Sequence, residues 1–198
     1  MMDFNFNELM EKQRRFVIMG GNLSGKTHLS KYILKIWGNK GIAIDVVNQY
    51  KGINRYTMNI KNGSPEGRKE VDIAIGRLAI SQKWENNHKF KALLIDEANK
   101  YFPTNIPLLN NASALNNEYR HYIDTFGLIT RRPARLFNDF VDLADVLFIF
   151  ILEGKNDKKY LNDVYDGLGD MVAGLQEYHF VVKVRGQAPF IHEPIKLE

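Results

Sequence analysis

The chain has 198 residues, a net charge of +4, no cysteine and 44% hydrophobic residues. That length supports one domain that buries about 70% of its unfolded surface without staples. The absence of cysteine excludes disulfides and thiolate metal sites, and the histidines at 28, 88, 121, 179 and 192 show no ligand-like spacing. The longest apolar run, Val146–Leu152, spans seven residues, against roughly 20 for a bilayer helix, and the polar, acidic start does not resemble a signal peptide. The expectation is a soluble intracellular protein without a membrane span. So mild a positive charge does not by itself imply a nucleic-acid partner.

In chain order, residues 7–15 carry mixed charges in a helix-prone stretch, and residues 1–15 read as an N-terminal helical extension. A buried strand follows at 16–19. Residues 20–27 spell Gly-Gly-Asn-Leu-Ser-Gly-Lys-Thr, the phosphate-loop (Walker A) pattern G-x-x-x-x-G-K-[ST]. Gly20, Gly21, Asn22, Leu23, Ser24 and Gly25, with His28 just beyond, form the expected nucleotide-binding segment. There backbone N–H groups curl around phosphates, Lys26 reaches the β and γ oxygens, and Thr27 ligates Mg²⁺. ATP with Mg²⁺ is the expected ligand pair. The spacing predicts a helix from Lys26 to Trp37, with Leu29, Ile33, Leu34 and Trp37 on its apolar stripe, closed by Gly38 and Gly41.

A second strand is expected at 42–47. Residues 48–69 show no hydrophobic period and read as a flexible insertion, with 62–67 as its mobile loop. Tyr50, Tyr56, Lys51, Arg55, Lys61, Arg68 and Lys69 within it are candidates for a nucleic-acid path, or for an ordinary solvated surface. A helix from Glu70 to Asn87 would present Val71, Ile75, Leu78, Ala79 and Trp84 to the core. A third strand, Lys91–Ile95, precedes Asp96-Glu97, and Pro103 limits any helix after that pair to about two turns.

Two carboxylates at a strand's C-terminal end lie where ligands gather in open α/β sheets. This pattern fits a Walker B pair, with Asp96 holding the metal and Glu97 polarising the attacking water. Asp45 is a competing acid, placed within its strand. Further elements are expected as a helix at 112–125, a strand at 127–130, a short helix at 136–143, the strand 146–152, a helix at 157–174, and a terminal hairpin of 178–184 with 190–195. Alternating strands and helices imply an α/β fold with a mostly parallel sheet. Thr130-Arg131-Arg132-Pro133, with Arg135 behind, sets arginines on a bend where they either face phosphates or form a solvated turn. Arg120 and His121 are candidates to act on a neighbouring subunit's nucleotide.

Taken together, Gly-Gly-Asn-Leu-Ser-Gly-Lys-Thr, Leu-Leu-Ile-Asp-Glu-Ala-Asn, and Gly-Leu-Ile-Thr-Arg-Arg-Pro before Val-Asp-Leu-Ala-Asp-Val-Leu-Phe-Ile-Phe resemble the FtsK-HerA superfamily of P-loop ATPases from about residue 15 onward. That family comprises ring-forming motors that move duplex DNA, including compact viral genome-packaging ATPases. The resemblance implies a P-loop NTPase sheet ordered 5-1-4-3-2, a cytoplasmic homo-oligomeric ring, and double-stranded DNA as partner. The family's γ-phosphate-sensing glutamine is matched here by Arg131, with Thr130 as the alternative sensor, and Arg120 is the nearest match to its trans-acting arginine. Rival readings are a nucleotide or small-molecule kinase with an arginine lid and Asp45 as its acid, and a nonenzymatic ATP-binding switch.

Overall fold

The computed structural model describes residues 4–81 and 89–196. Its sheet is built from β1 (Arg15–Met19), β2 (Gly41–Asp45), β3 (Arg55–Thr57), β4 (Ala92–Ile95), β5 (Thr125–Thr130), β6 (Val146–Phe150), β7 (Phe180–Val184) and β8 (Phe190–His192), in the spatial order β3-β2-β4-β5-β1-β6-β7-β8. From β3 to β6 every pairing is parallel, and β6–β7 and β7–β8 are antiparallel. The five core strands therefore follow the expected 5-1-4-3-2 order. One short strand is added at one edge and the terminal hairpin at the other.

Alternate side chains on the central strands enter two different cores. Phe16 and Ile18 on β1 and Phe148 on β6 join Leu29, Ile33, Leu34 and Trp37 of the helix after β1. Val17, Met19, Leu147 and Ile149 face the helices of the opposite layer. That period-2 split explains why the strands read as continuous apolar runs: both faces are covered. Gly127 sits where the two central strands leave no room for a side chain, since a Cβ there would strike the Phe16 ring.

The helix after β1, α2 (Lys26–Trp37), has the expected bounds. Burial of four large side chains on its stripe contributes about 1.5–3 kcal/mol each. Before it, α1 (Glu8–Glu11) is a single turn, and Phe4, Phe6 and Leu9 are buried in the core. Residues 4–15, read as part of a helical extension, thus hold one helical turn and pack into the fold. Phe4 and Phe6 pack on Phe148, with ring centroids 5.3 and 5.6 Å away.

The tract 48–69, expected to be a flexible insertion, instead contributes β3 and the start of α3 (Pro65–Ile75). Ser64 caps α3 by accepting from the Gly67 N–H at 3.2 Å, and Pro65 occupies the first turn. The helix runs on through a π turn, Gly76–Ile80. Its expected continuation to Asn87, including Trp84, lies outside the described residues. Two further helices are shorter than expected. That before β5, α5 (Asn110–Glu118), gives way to a 3-10 turn at Tyr119–His121. The long tail helix divides into α7 (Lys155–Val164) and α8 (Leu168–Ala173) at Gly167, whose φ of 76° no helix accommodates. Between β5 and β6 stands α6 (Asn138–Asp142). Among the described residues, no helix is long and apolar enough to cross a membrane.

Candidate nucleotide site

The parallel strands deliver three loops to one end of the sheet. The phosphate loop follows β1, the acid pair follows β4, and Arg131 follows β5, the strand between them. Gly25 has a φ of 109° and a Cβ there would meet the Phe150 ring at 2.9 Å, so glycine is required for the loop to turn into α2. Leu23 at the loop's apex is 93% exposed and also left-handed, with φ 58°.

Asn22, Leu23, Lys26, Thr27, Gln49, Asp96, Glu97, Thr130 and Arg131 line one cleft of about 420 Å³. Lys26, only 8% exposed, curls back to donate to the Gly21 carbonyl, with Ser24 Oγ at 3.5 Å. Burial, then the neighbouring Arg131, lower its ammonium from the usual 10.5 to about 8. An anion arriving in this cleft would add a charged partner to the carbonyl and hydroxyl that the ammonium already faces.

Asp96 and Glu97 separate into different environments although adjacent in sequence. Asp96 is buried, accepts from the Glu97 N–H at 2.9 Å, and is raised to about 6 by burial and then by the Glu97 charge. Glu97 has a left-handed backbone, φ 52° and ψ 36°, which turns its side chain away from the strand axis. This is the kind of local strain that persists where surrounding structure over-determines a residue. Its carboxylate pairs with the Arg131 guanidinium and with Lys100 Nζ at 3.2 Å. The helix behind it, α4 (Ala98–Tyr101), is one turn long, within the limit that Pro103 implied.

Thr130 is buried and its hydroxyl is engaged, donating to Asn99 Oδ1 at 3.0 Å and accepting from the Arg132 N–H at 3.2 Å. Arg131, by contrast, is exposed and shares Glu97 with Lys100, so of the two sensor candidates it is the one with a charged end at the cleft. Arg132 lines an adjoining recess with Asn99 and Lys100. Arg120 is not brought to this site. It lies before β5, at the opposite end of the strand from Arg131, and donates to the Tyr119 hydroxyl at 3.1 Å.

Asp45 does not reach the cleft either. It is fully buried and accepts from the N–H groups of Gln49 and Tyr50 and from Arg55, each at 3.0 Å. Of the residues considered for a nucleic-acid path in this tract, Lys51, Lys61 and Lys69 are exposed, whereas three others are engaged within the fold. Tyr50 is buried, Arg55 is paired, and Arg68 donates to the carbonyls of Tyr101 and Pro107.

A second cavity, about 610 Å³, opens on the other side of the loop between Lys26, His28, Lys31, Phe150, Tyr178, Phe180, Pro194 and Ile195. His28 Nε2 lies 3.0 Å from the Ile195 carbonyl, and Tyr178 is 47% exposed. The sequence reading missed this wall because its pieces come from β6 and the terminal hairpin, more than 120 positions from the loop. Lys100 had a local signal, standing three residues after Glu97 on a helix; Gln49 had none.

The Thr27 hydroxyl and the Asp96 carboxylate are hard oxygen donors that line the cleft with Lys26. No group of three acidic or histidine side chains able to hold an ion by itself occurs among the described residues. This set suits Mg²⁺, which keeps several waters and is held by one or two protein groups plus phosphate oxygens.

No protein-family model and no curated protein matches the chain by sequence. Solved structures do match. The DNA-packaging ATPase B204 from Sulfolobus turreted icosahedral virus superposes with a TM-score of 0.72 at 20% identity, over 93% of this chain and 98% of that one. The genome packaging NTPase B204 from Sulfolobus turreted icosahedral virus 2, in complex with ATP-gammaS, gives 0.71 at 18% identity, over 93% and 98%. The N-terminal domain of zonular occludens toxin from Neisseria meningitidis gives 0.57 at 14% identity, over 92% and 95%. The chain therefore has the α/β fold of these solved structures, the nucleotide-bound packaging NTPase among them.

Proposed function

We propose that this chain is a Mg²⁺-dependent ATPase that couples hydrolysis to movement of duplex DNA, as a genome-packaging or translocation motor working in a homo-oligomeric ring. The observation that carries the enzymatic part is the division of labour at the end of β4. Asp96 is tied toward Thr27 through Gln49, while Glu97 is turned out to face Arg131 across the same cleft. One carboxylate is placed for a metal and the other for a water.

In this reading the loop amides and Lys26 bind the β and γ phosphates, and Thr27 and Asp96 hold Mg²⁺. The ion supplies charge neutralisation on the phosphate oxygens. Glu97 accepts a proton from a water whose oxygen attacks the γ-phosphorus. The bond to the β–γ bridging oxygen breaks, and ADP and inorganic phosphate leave. Arg131 exchanges its bond to Glu97 for the γ-phosphate, which frees the carboxylate when a triphosphate is in place. The base occupies the apolar cavity beside Tyr178.

The DNA-moving part rests on the fold shared with a DNA-packaging ATPase. The ring part rests on the same likeness and on Arg120, which is exposed and too far along its own sheet to serve its own cleft. The test is steady-state ATP hydrolysis by the wild-type protein and by Glu97→Gln, with and without duplex DNA, alongside mass in solution. Expected are an assembly whose turnover DNA stimulates, and a variant that binds ATP while its turnover falls about 10²- to 10⁴-fold, the range for loss of a general base. A variant turning over at the wild-type rate excludes Glu97 as the base. Phosphoryl transfer to an added acceptor in place of hydrolysis overturns the ATPase reading in favour of a kinase.

A further inference from the structure

Gln49 belongs neither to the phosphate loop nor to the acid pair, yet it links them. Its Nε2 donates to Asp96 Oδ2 at 2.7 Å, and its Oε1 accepts from the Thr27 hydroxyl at 3.2 Å. We propose that Gln49 is the positioning residue of the metal site, its amide holding the Thr27 hydroxyl and the Asp96 carboxylate in the orientation that a nucleotide-bound divalent cation requires. The inference rests on the reading of this cleft as a nucleotide site.

Hydrogen-bond inventory fixes which way the amide points. An ionised carboxylate only accepts, so the NH₂ end must face Asp96; the reverse would set two oxygens against each other. The same nitrogen lies 3.5 Å from the Tyr50 hydroxyl. The carbonyl end is then left for Thr27. A threonine hydroxyl has one hydrogen and two lone pairs, and giving the hydrogen to Gln49 turns the lone pairs out toward a cation. Asp96 is gripped at both oxygens, Oδ2 by Gln49 and Oδ1 by the Glu97 N–H. Neither metal-site group can rotate without losing this amide.

The fold also fixes Gln49 itself. Its N–H and that of Tyr50 are held by the two oxygens of Asp45, a carboxylate with no exposure at all, which also binds Arg55. Asn48, just before it, takes a left-handed φ of 61°. Tyr50 is buried, with its hydroxyl 2.9 Å from Ser30 Oγ on α2. A buried charge devoted to the backbone of one short loop defines where the amide stands. Such outer partners of a metal site typically contribute 10- to 100-fold in metal affinity.

The test measures metal and nucleotide binding separately. Wild type, Gln49→Met and Gln49→Ala are saturated with ATPγS, and Mn²⁺ is titrated by the loss of its free electron-paramagnetic-resonance signal. Affinity for a fluorescent ATP analogue is measured in parallel with metal chelated. Gln49→Met keeps the side-chain length and its packing, so the fold is retained when the hydrogen bonds go. The expected result is Mn²⁺ affinity weakened about 10- to 100-fold in both variants, with metal-free nucleotide affinity within about twofold of wild type. Unchanged Mn²⁺ affinity overturns the proposal. Tighter Mn²⁺ binding overturns it too, by showing that the amide blocks the ion, and an equal loss of metal-free affinity shows that Gln49 supports the loop instead. A wild-type protein that binds no nucleotide removes the underlying reading of the cleft; one that binds normally beside unaffected variants removes the Gln49 inference alone.

Discussion

Replacing Lys26 by methionine should make the nucleotide-free protein more stable while abolishing its ligand. Burial, then Arg131, bring the ammonium from the usual 10.5 to about 8. A displacement of roughly two and a half pH units corresponds to about 3 kcal/mol against the charged form in the empty fold. Methionine keeps the unbranched stem and removes the charge, but it forfeits the bond to the Gly21 carbonyl, about 1 kcal/mol. Lys26→Met should therefore be about 2 kcal/mol more stable than wild type at pH 7, or roughly 4–8 °C in midpoint for a domain of this size. The pH dependence carries the sign. Between about 8 and 10.5 the unfolded chain still holds the lysine proton that the native state has released, so wild-type stability rises with pH there and the gap to the variant closes. The assay is urea unfolding of both proteins from pH 7 to 10 without nucleotide. A variant no more stable than wild type at pH 7, or a gap that stays constant through pH 10, would refute the argument. Added ATP reverses the order, since ligand at a hundred times its dissociation constant adds about 2.7 kcal/mol to wild type alone.

Other outcomes follow from single contacts. Because Asp96 is raised to about 6, Mn²⁺ affinity of the ATPγS complex should fall about tenfold per pH unit below 6; a flat titration from pH 7 to 5 would exclude Asp96 as the metal acid. Gly127→Ala sets a methyl against the Phe16 ring and should cost about 1–3 kcal/mol in urea unfolding, partly restored by Phe16→Leu; no loss would mean that the two central strands can part. Tyr178→Ala should weaken ATP binding by about 1–3 kcal/mol, the range for losing an aromatic platform under a base, and leave inorganic triphosphate binding unchanged; equal loss for both would move the base elsewhere.

What the sequence disclosed depended on whether a signal was local. The loop residues, α2 and the five core strands were legible because apolar runs and one contiguous motif specify them. The edge strand β3 was not, since Arg55, Tyr56 and Thr57 are half-buried or exposed and show no period. Gly63, Ser64, Pro65 and Gly67 spell a turn as readily as a helix start, and only the Ser64 hydroxyl bond to Gly67 separates the two. At the site, Lys26, Thr27, Asp96, Glu97 and Arg131 were named from pattern and do converge on one cleft. Arg120 was named as the candidate to act in trans, and the order of strands sets it at the end of the sheet away from its own cleft. Gln49 left no trace because its partners stand 22 and 47 positions away and meet only when β2 lies beside β4.

The floor of the phosphate loop is an aromatic column. Phe150 lies under Gly25, Phe180 is 5.0 Å from Phe150, and His192 stacks on Phe180 at 4.7 Å. The motif that receives the triphosphate thus rests on residues that follow it by more than 120 positions. A chain still emerging from the ribosome carries the whole Gly-Gly-Asn-Leu-Ser-Gly-Lys-Thr segment without the surface that shapes it. If the cleft takes a nucleotide, its capture waits for β7 and β8, and a product shortened before β7 would forfeit ligand-linked stabilisation together with its sheet edge.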